Sequence, residues 1–503
     1  MTITLPSIIS SGMVIGKKAR IWGACSGSGS VTVTFNGKEY IAPVHEGRWE
    51  AVIESDIMGG PYEMRIGDIL LKDVYVGYVF TLSGQSNMEI PVSRVRLKYN
   101  DDFKDVNNPR IRAFQVERAY YYDYPREDCA GAWKPANGET IDAFYAVPWY
   151  FAEAMECGLD APIGIIECAV GGSRIETWMS EESVRFAGYA AELLRIAKRP
   201  GFVDAILDYD LKRTQKWQDD VQDNDKGLRE GYSSDNYNHK SWPRRPLTRD
   251  WAEDIGPYHG AVWFRKTLTL PGELAGKPAR LWLGRITDSD TAYLNGELIG
   301  RTEYKYPPRV YPVREGLLRE GENSIAVRVV CEGDGGGFCS GKDYMLETAE
   351  GNISMDNEWA YMPAYKTNEL APSVNIFNYP CGLYNGMLAP VLPFSISAFL
   401  WYQGESNDQS PRDYAWLLSH FLKDIRRQCG ENLPFLLVQL PNFDAGALND
   451  NWALIRKHQA TILDYPNTAM IVTTDIGEDN DLHPLNKRDV GRRLAAEALK
   501  LLA

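Results

Sequence analysis

The spacing of apolar residues changes character several times along the chain. Over residues 1–72, short alternating runs are set off by turn residues: Ala19-Arg20-Ile21-Trp22-Gly23, Val31-Thr32-Val33-Thr34-Phe35 and Trp49-Glu50-Ala51-Val52-Ile53, with Asn36-Gly37 after the second. Period-two alternation marks strands with one buried face, and Asn-Gly supplies the positive φ of a tight hairpin. This region is expected to be a small β-sandwich. From residue 73 the runs become continuous, at 74–80 and 163–168, with a helical stretch around 144–157 that carries Phe151, Ala154 and Met155. Runs apolar on both faces and separated by helices predict an α/β fold with a doubly wound parallel sheet. The alternation stops near 205, and a highly polar stretch from Asp208 reaches Arg249. Strand patterns follow at 261–268, 279–284 and 323–329, with Asn295-Gly296 as a second hairpin turn. Near 375 the α/β alternation resumes, with strands expected at 396–402, 435–440 and 469–474 and helices at about 411–428, 450–464 and 487–502. The predicted division is 1–72, 73–245, 246–370 and 371–503.

Candidate chemistry lies just after the apolar runs. Thr81-Leu82-Ser83-Gly84-Gln85-Ser86-Asn87-Met88 ends one strand at a glycine and delivers Ser86 to the first turn of a helix, over backbone N–H groups. A serine so placed suits acyl transfer, although turn and cap roles are commoner for an isolated serine. Asp481-Leu482-His483-Pro484 falls between the last strand pattern and an amphipathic helix marked by Val490, Leu494, Ala498 and Leu501, where a general base can stand. A third block, Leu400-Trp401-Tyr402-Gln403-Gly404-Glu405-Ser406-Asn407, again ends an apolar run in amide and carboxylate groups. In an open parallel sheet all these ends meet at one edge.

These segments, with Gly171-Gly172-Ser173-Arg174-Ile175-Glu176-Thr177-Trp178, occur in the order of the signature blocks of the sialate O-acetylesterases, and the chain resembles that family of SGNH hydrolases. The resemblance implies an SGNH-type sheet and hydrolysis of an acetyl ester on a sugar hydroxyl, without cofactor or metal. By it, Ser86 matches the nucleophile and His483 the base. The oxyanion donors map onto the N–H groups of Ser86 and Gly172 and the side chain of Gln403, with Asn407 as a second choice. Where the wider superfamily has an aspartate three residues before the histidine, this chain has Asn480. The acid that orients His483 is therefore left between Asp481 and Glu405, with a dyad held by a backbone carbonyl as the third arrangement. Arg174, Trp178, Trp401 and Asn407 are candidate substrate-binding residues; the two tryptophans fit a core role and Arg174 a structural ion pair equally well. Residues 246–370 resemble the jelly-roll domain of β-galactosidase-like proteins.

Composition adds limits. The 503 residues are 44% hydrophobic and 24% charged, ample for more than one core. A net charge of −14 repels nucleic acid and anionic membranes and says little about a small sugar; the expected partner, a small acetylated mono- or oligosaccharide, is what the family resemblance implies. The eight cysteines show no metal-ligand spacing and are expected as free thiols. No run reaches membrane-spanning length and Met1-Thr2-Ile3-Thr4-Leu5-Pro6 does not read as a leader; a cytoplasmic location is expected, or a periplasmic or secreted one if a leader has been trimmed. Nothing in the sequence sets the oligomeric state. His45, His420 and His458 are expected to be structural or solvated, while His239 and His259 flank the insert, from where they could approach the site from outside, although nothing in their neighbours shows it. Acetylated sialic acid is the first substrate expectation and acetylated xylan-type oligosaccharide the alternative. A catalytically inactive carbohydrate-binding protein, or a glycoside hydrolase using Glu405, Asp475 or Asp481, are competing readings.

Overall fold

The computed structural model describes residues 2–333, 335–444 and 446–503. The chain divides into two compact units, one running up to Val203 and resuming over Asn375–Ala503, the other Asp204–Val374.

The first unit is built on a seven-stranded sheet. Its strands are β1 (Tyr78–Gly84), β2 (Asn107–Gln115), β3 (Trp133–Asn137), β4 (Ile163–Ala169), β5 (Ala398–Tyr402), β6 (Phe435–Val438) and β7 (Thr468–Ile471), in the spatial order β3-β2-β4-β1-β5-β6-β7. Only β3 runs antiparallel to its neighbour. All residues of β4, β5 and β6 are buried, which is why their sequences read as continuous rather than alternating runs. After β1 the chain builds the β4 side, and after the second unit it returns to build the β5 side. The strand order therefore reverses at β1, the position where open α/β sheets leave a crevice.

Helices α1 (Ser86–Glu89), α2 (Ala146–Leu159), α3 (Tyr414–Cys429), α4 (Asn449–Gln459) and α5 (Lys487–Leu502) belong to this unit. Phe80 of β1 meets Phe151 of α2 edge-on at 4.9 Å. Phe399 and Trp401 of β5 pair in register with Thr81 and Ser83, so they point to the opposite face, where both pack on Phe421 of α3. The sheet is thus covered on both sides. α5 lies on α2 so closely that a Cβ on Gly491 would sit 2.6 Å from that of Tyr150.

Residues expected as a separate amino-terminal sandwich do form two β-sheets, of three and five strands, with Asn36 and Gly37 at φ 47° and 75° in the expected hairpin turn. Their core is continuous with that of the large sheet. Arg112 of β2 is the joint: 3% exposed, it pairs with Asp73 at 2.7 Å and donates to the Gly12 carbonyl at 3.3 Å. The amino-terminal strands are therefore part of the first unit.

The second unit is an antiparallel pair of six- and four-stranded sheets around one core that includes Val262, Phe264, Leu281, Val327, Leu346 and Trp359. It begins at 204 rather than at 246, because the polar stretch folds back onto it. Phe202–Asn224 is a 23-residue helix, and buried Asp225 beyond it accepts from Trp263 Nε1 at 3.1 Å and Arg328 Nε at 2.7 Å. With Val221 its one fully buried residue, that helix carries almost no apolar stripe to announce it. Among the described residues no helix is long and apolar enough to cross a membrane, and all eight cysteines are free thiols.

Gly84, the last residue of β1, has φ 144°, and a Cβ there would lie 2.0 Å from the Tyr402 carbonyl oxygen. Gly84→Ala must push β1 and β5 apart. We expect a loss of roughly 2–4 kcal/mol in urea unfolding, and a variant as stable as wild type would contradict this packing.

Candidate active site

Ser86 opens α1 directly after β1, with Gln85 as the extended residue before the helix. Its Oγ lies 2.7 Å from His483 Nε2, across a sequence separation of 397 residues. His483 is 4% exposed and stands in the loop between β7 and α5, where its main-chain N–H donates to Asp481 Oδ1 at 2.8 Å. Gly171 packs against the serine: a Cβ on it would be 3.4 Å from Ser86 Cβ and 2.9 Å from Glu89 Oε2. Gly172 adopts φ 74° and faces open space. The main-chain N–H groups of Ser86 and Gly172 have no acceptor among the described residues. A serine hydroxyl, an imidazole within proton-transfer distance and two free N–H donors are thus gathered at one edge of the sheet.

The strand ends are stitched together around them. The Gly84 carbonyl accepts from Val170 N at 3.1 Å, and Gln85 N donates to the Tyr402 carbonyl at 3.0 Å. Gln85 Oε1 in turn accepts from the N–H groups of Gly404 and Ser406. Glu89, one turn along α1, takes the N–H of Gly171 and pairs with Arg118 at 2.8 Å, fixing the glycine loop beside the serine.

Behind the serine runs a buried polar chain. Asn87 Nδ2 donates to Glu405 Oε1 at 2.6 Å and to the Leu482 carbonyl at 3.0 Å, and its Oδ1 accepts from Lys487 Nζ at 2.6 Å. The bond to Leu482 ties the residue after the serine to the residue before the histidine. Burial pushes the Glu405 carboxyl up to about 7, opposed by the bond from Asn87 and by the charge of Lys487. Burial likewise pushes the Lys487 ammonium down to about 7, helped by Arg94 and opposed by Glu405, Asp481 and Glu478.

A profile of the family described as carbohydrate esterase, sialic acid-specific acetylesterase matches residues 76–210 and 373–500, together just over half of the chain. The chain belongs to that family. The matched segments carry Ser86, the Gly171-Gly172 loop, Glu405 and His483, and fall almost entirely in the first unit. Curated members similar to it include the human sialate O-acetylesterase, 29% identical over 213 residues that cover 36% of this chain and 40% of that protein, and the mouse enzyme, 29% identical over 208 residues. The chain thus spans about 40% of the length of the curated relatives it matches. Among solved structures, a carbohydrate acetylesterase from Xanthomonas citri shares the fold with TM-score 0.58 at 21% identity, covering 99% of this chain and 74% of that one.

Several residues expected at the site are placed differently. Gln403 is fully buried and spends both amide hydrogens, on the Ser173 carbonyl at 3.1 Å and Asn407 Oδ1 at 2.8 Å, so it has none for an oxyanion. Asn407 uses one amide hydrogen on Glu176 Oε2 at 2.9 Å and has the other without an acceptor among the described residues. Trp178 and Trp401 are both fully buried and stack edge to face at 6.2 Å, which makes them core rather than sugar-binding surface. Arg174 is held by both oxygens of Glu176. Glu405 binds Asn87 and makes no hydrogen bond to the imidazole. His420 and His458 bond backbone carbonyls on or near their own helices. Asp475 pairs with Arg493. Among the described residues no cluster of metal-ligating side chains occurs.

The sequence reading missed Asn87, Glu89, Glu176 and Lys487. For Lys487 a signal was present. With Val490, Gly491, Leu494 and Ala498 it completes the buried stripe of α5, and a lysine there needs a buried partner.

A carboxyl whose pKa is raised by folding loses stability as the pH climbs from its ordinary value of 4.5 toward 7, because the folded state keeps the proton longer. Glu405→Gln preserves an acceptor for Asn87 and removes that ionisation. Its stability relative to wild type should therefore rise between pH 4.5 and 7.5 by on the order of 2 kcal/mol. A pH-independent difference in urea titrations would show that Glu405 ionises normally.

Proposed function

We propose that this protein is a carbohydrate esterase that removes O-acetyl groups from sugars through an acetyl-serine intermediate. The observation that supports it most directly is the 2.7 Å contact of Ser86 Oγ with His483 Nε2 at the point where the strand order reverses. His483 Nε2 takes the Ser86 proton as Oγ attacks the acetyl carbonyl, and the carbonyl electrons move to its oxygen. The N–H groups of Ser86 and Gly172, with the spare amide hydrogen of Asn407 in place of Gln403, receive the oxyanion. Collapse breaks the bond to the sugar oxygen, which leaves with the proton from His483. Water, deprotonated by His483, then attacks the acetyl-serine; acetate departs and Ser86 regains its proton.

For orientation of the imidazole we favour the Asp481 loop over Glu405, whose carboxylate is engaged by Asn87. Lys487, Asn87 and the Leu482 carbonyl then form a strut that keeps the histidine loop at the serine. In fold terms we read the first unit as an SGNH-type hydrolase core with an appended β region, and Asp204–Val374 as a jelly-roll insert. The names of the curated relatives suggest acetylated sialic acid as substrate, and acetylated xylan-type oligosaccharide is the alternative.

Ser86→Ala and His483→Ala should each lower acetate release from 4-nitrophenyl acetate and from an acetylated sugar by at least about 10³-fold, with thermal unfolding unchanged. Asp481→Asn is expected to lose far more activity than Glu405→Gln. Near-normal turnover by Ser86→Ala, with contaminating esterase excluded, would falsify the mechanism.

A further inference from the structure

A cavity of about 370 Å³ opens beside the glycine loop, bordered by Arg174, Glu176, Tyr189, Asn378, Tyr379 and Asp413. It is large enough for a sugar residue. Gly171 touches Ser86 and Arg174 follows three residues later, so at most about 11 Å of chain separates the nucleophile from the cavity wall. A saccharide whose acetyl group sits at Ser86 therefore has its ring within reach of this space.

The charge lining the cavity is the informative part. Arg174 is the guanidinium a sugar carboxylate would seek, yet its Nε and Nη2 already bind both oxygens of Glu176, at 3.4 and 3.0 Å, and Nη2 also reaches Ser410 Oγ. Glu176 cannot release it cheaply. The carboxylate is 2% exposed and also accepts from Tyr189 OH at 2.8 Å and Asn407 Nδ2 at 2.9 Å, so moving it would uncover a buried charge and unseat Asn407. Asp413 lines the same cavity. Asp408 lies close enough to feel Arg174: burial pushes its carboxyl up and the guanidinium opposes the shift. The cavity wall thus carries one cation and two carboxylates, Glu176 and Asp413. The other lining groups suit hydroxyls: Asn378 Oδ1 accepts from Arg174 N at 3.0 Å and its amide hydrogens have no acceptor among the described residues, while Tyr189, 44% exposed, and Tyr379 offer ring faces.

We infer that this cavity is a saccharide subsite that takes an uncharged, hydroxyl-rich sugar and disfavours a sugar carboxylate; the inference rests on the esterase reading above and narrows its substrate. A carboxylate entering here meets a guanidinium already neutralised by Glu176 and the further negative charge of Asp413, whereas neutral hydroxyls find acceptors, donors and stacking faces.

The test uses Ser86→Ala protein, which retains the cavity without turnover. Mono-O-acetylated xylotriose and 9-O-acetylated N-acetylneuraminic acid are titrated into it by calorimetry at low ionic strength. The neutral sugar should bind at least about tenfold more tightly, and Asp413→Asn in the same background should shrink that ratio to about threefold. Equal affinities, a reversed order, or no binding of either probe would overturn the subsite. Hydrolysis of 4-nitrophenyl acetate by the wild-type protein reports separately on the esterase reading, so failure of one is distinguishable from failure of the other.

Discussion

The close approach of Gly84 to the Tyr402 carbonyl is the constraint on which the rest of the site depends. Because residue 84 has no side chain, β1 and β5 stay paired to their last residues, Tyr402 opposite Gly84. The Gly84 carbonyl then reaches Val170, and Gln85 reaches Tyr402, Gly404 and Ser406. Three strand ends are thereby fixed to a single dipeptide. Ser86, the Gly171-Gly172 loop and the Gln403–Asn407 turn each inherit their positions from it. An added Cβ would shift not one contact but the common origin from which all three loops project.

How much of this was legible in the sequence depended on whether a residue's role is local. Ser86 and His483 each follow an apolar run, and strand ends converge in a parallel sheet, so their meeting followed from periodicity and topology before any distance was known. The Asn36-Gly37 and Asn295-Gly296 turns were legible for the same reason, since φ > 0 is a demand of the turn itself. Trp178, Trp401 and Gln403 were harder. An aromatic or an amide after a strand looks the same whether it faces solvent or core, and what decided the matter was α3 covering one face of β5. The helix Phe202–Asn224 stayed hidden because a mostly exposed helix has no apolar stripe to read.

The polar chain of Lys487, Asn87 and Glu405 places ionisable groups directly behind Ser86. Buried ionisable groups are costly unless paired, and here an uncharged amide stands between ammonium and carboxylate, with one end turned to each. Glu176 works similarly on the other flank, where one buried carboxylate holds Asn407 and Arg174, the latter on the cavity wall. A change at Arg174 is therefore transmitted to Asn407 through a single buried group.

The sequence separation of 397 between Ser86 and His483 has a consequence for biosynthesis. The serine, its glycine loop and all seven strands of the sheet precede the histidine in the order of translation, and the lysine that braces the histidine loop lies later still, on α5. During synthesis the Ser86 hydroxyl is present long before the imidazole that it contacts. The Ser86–His483 contact therefore forms only late, when the loop after β7 and the helix α5 dock.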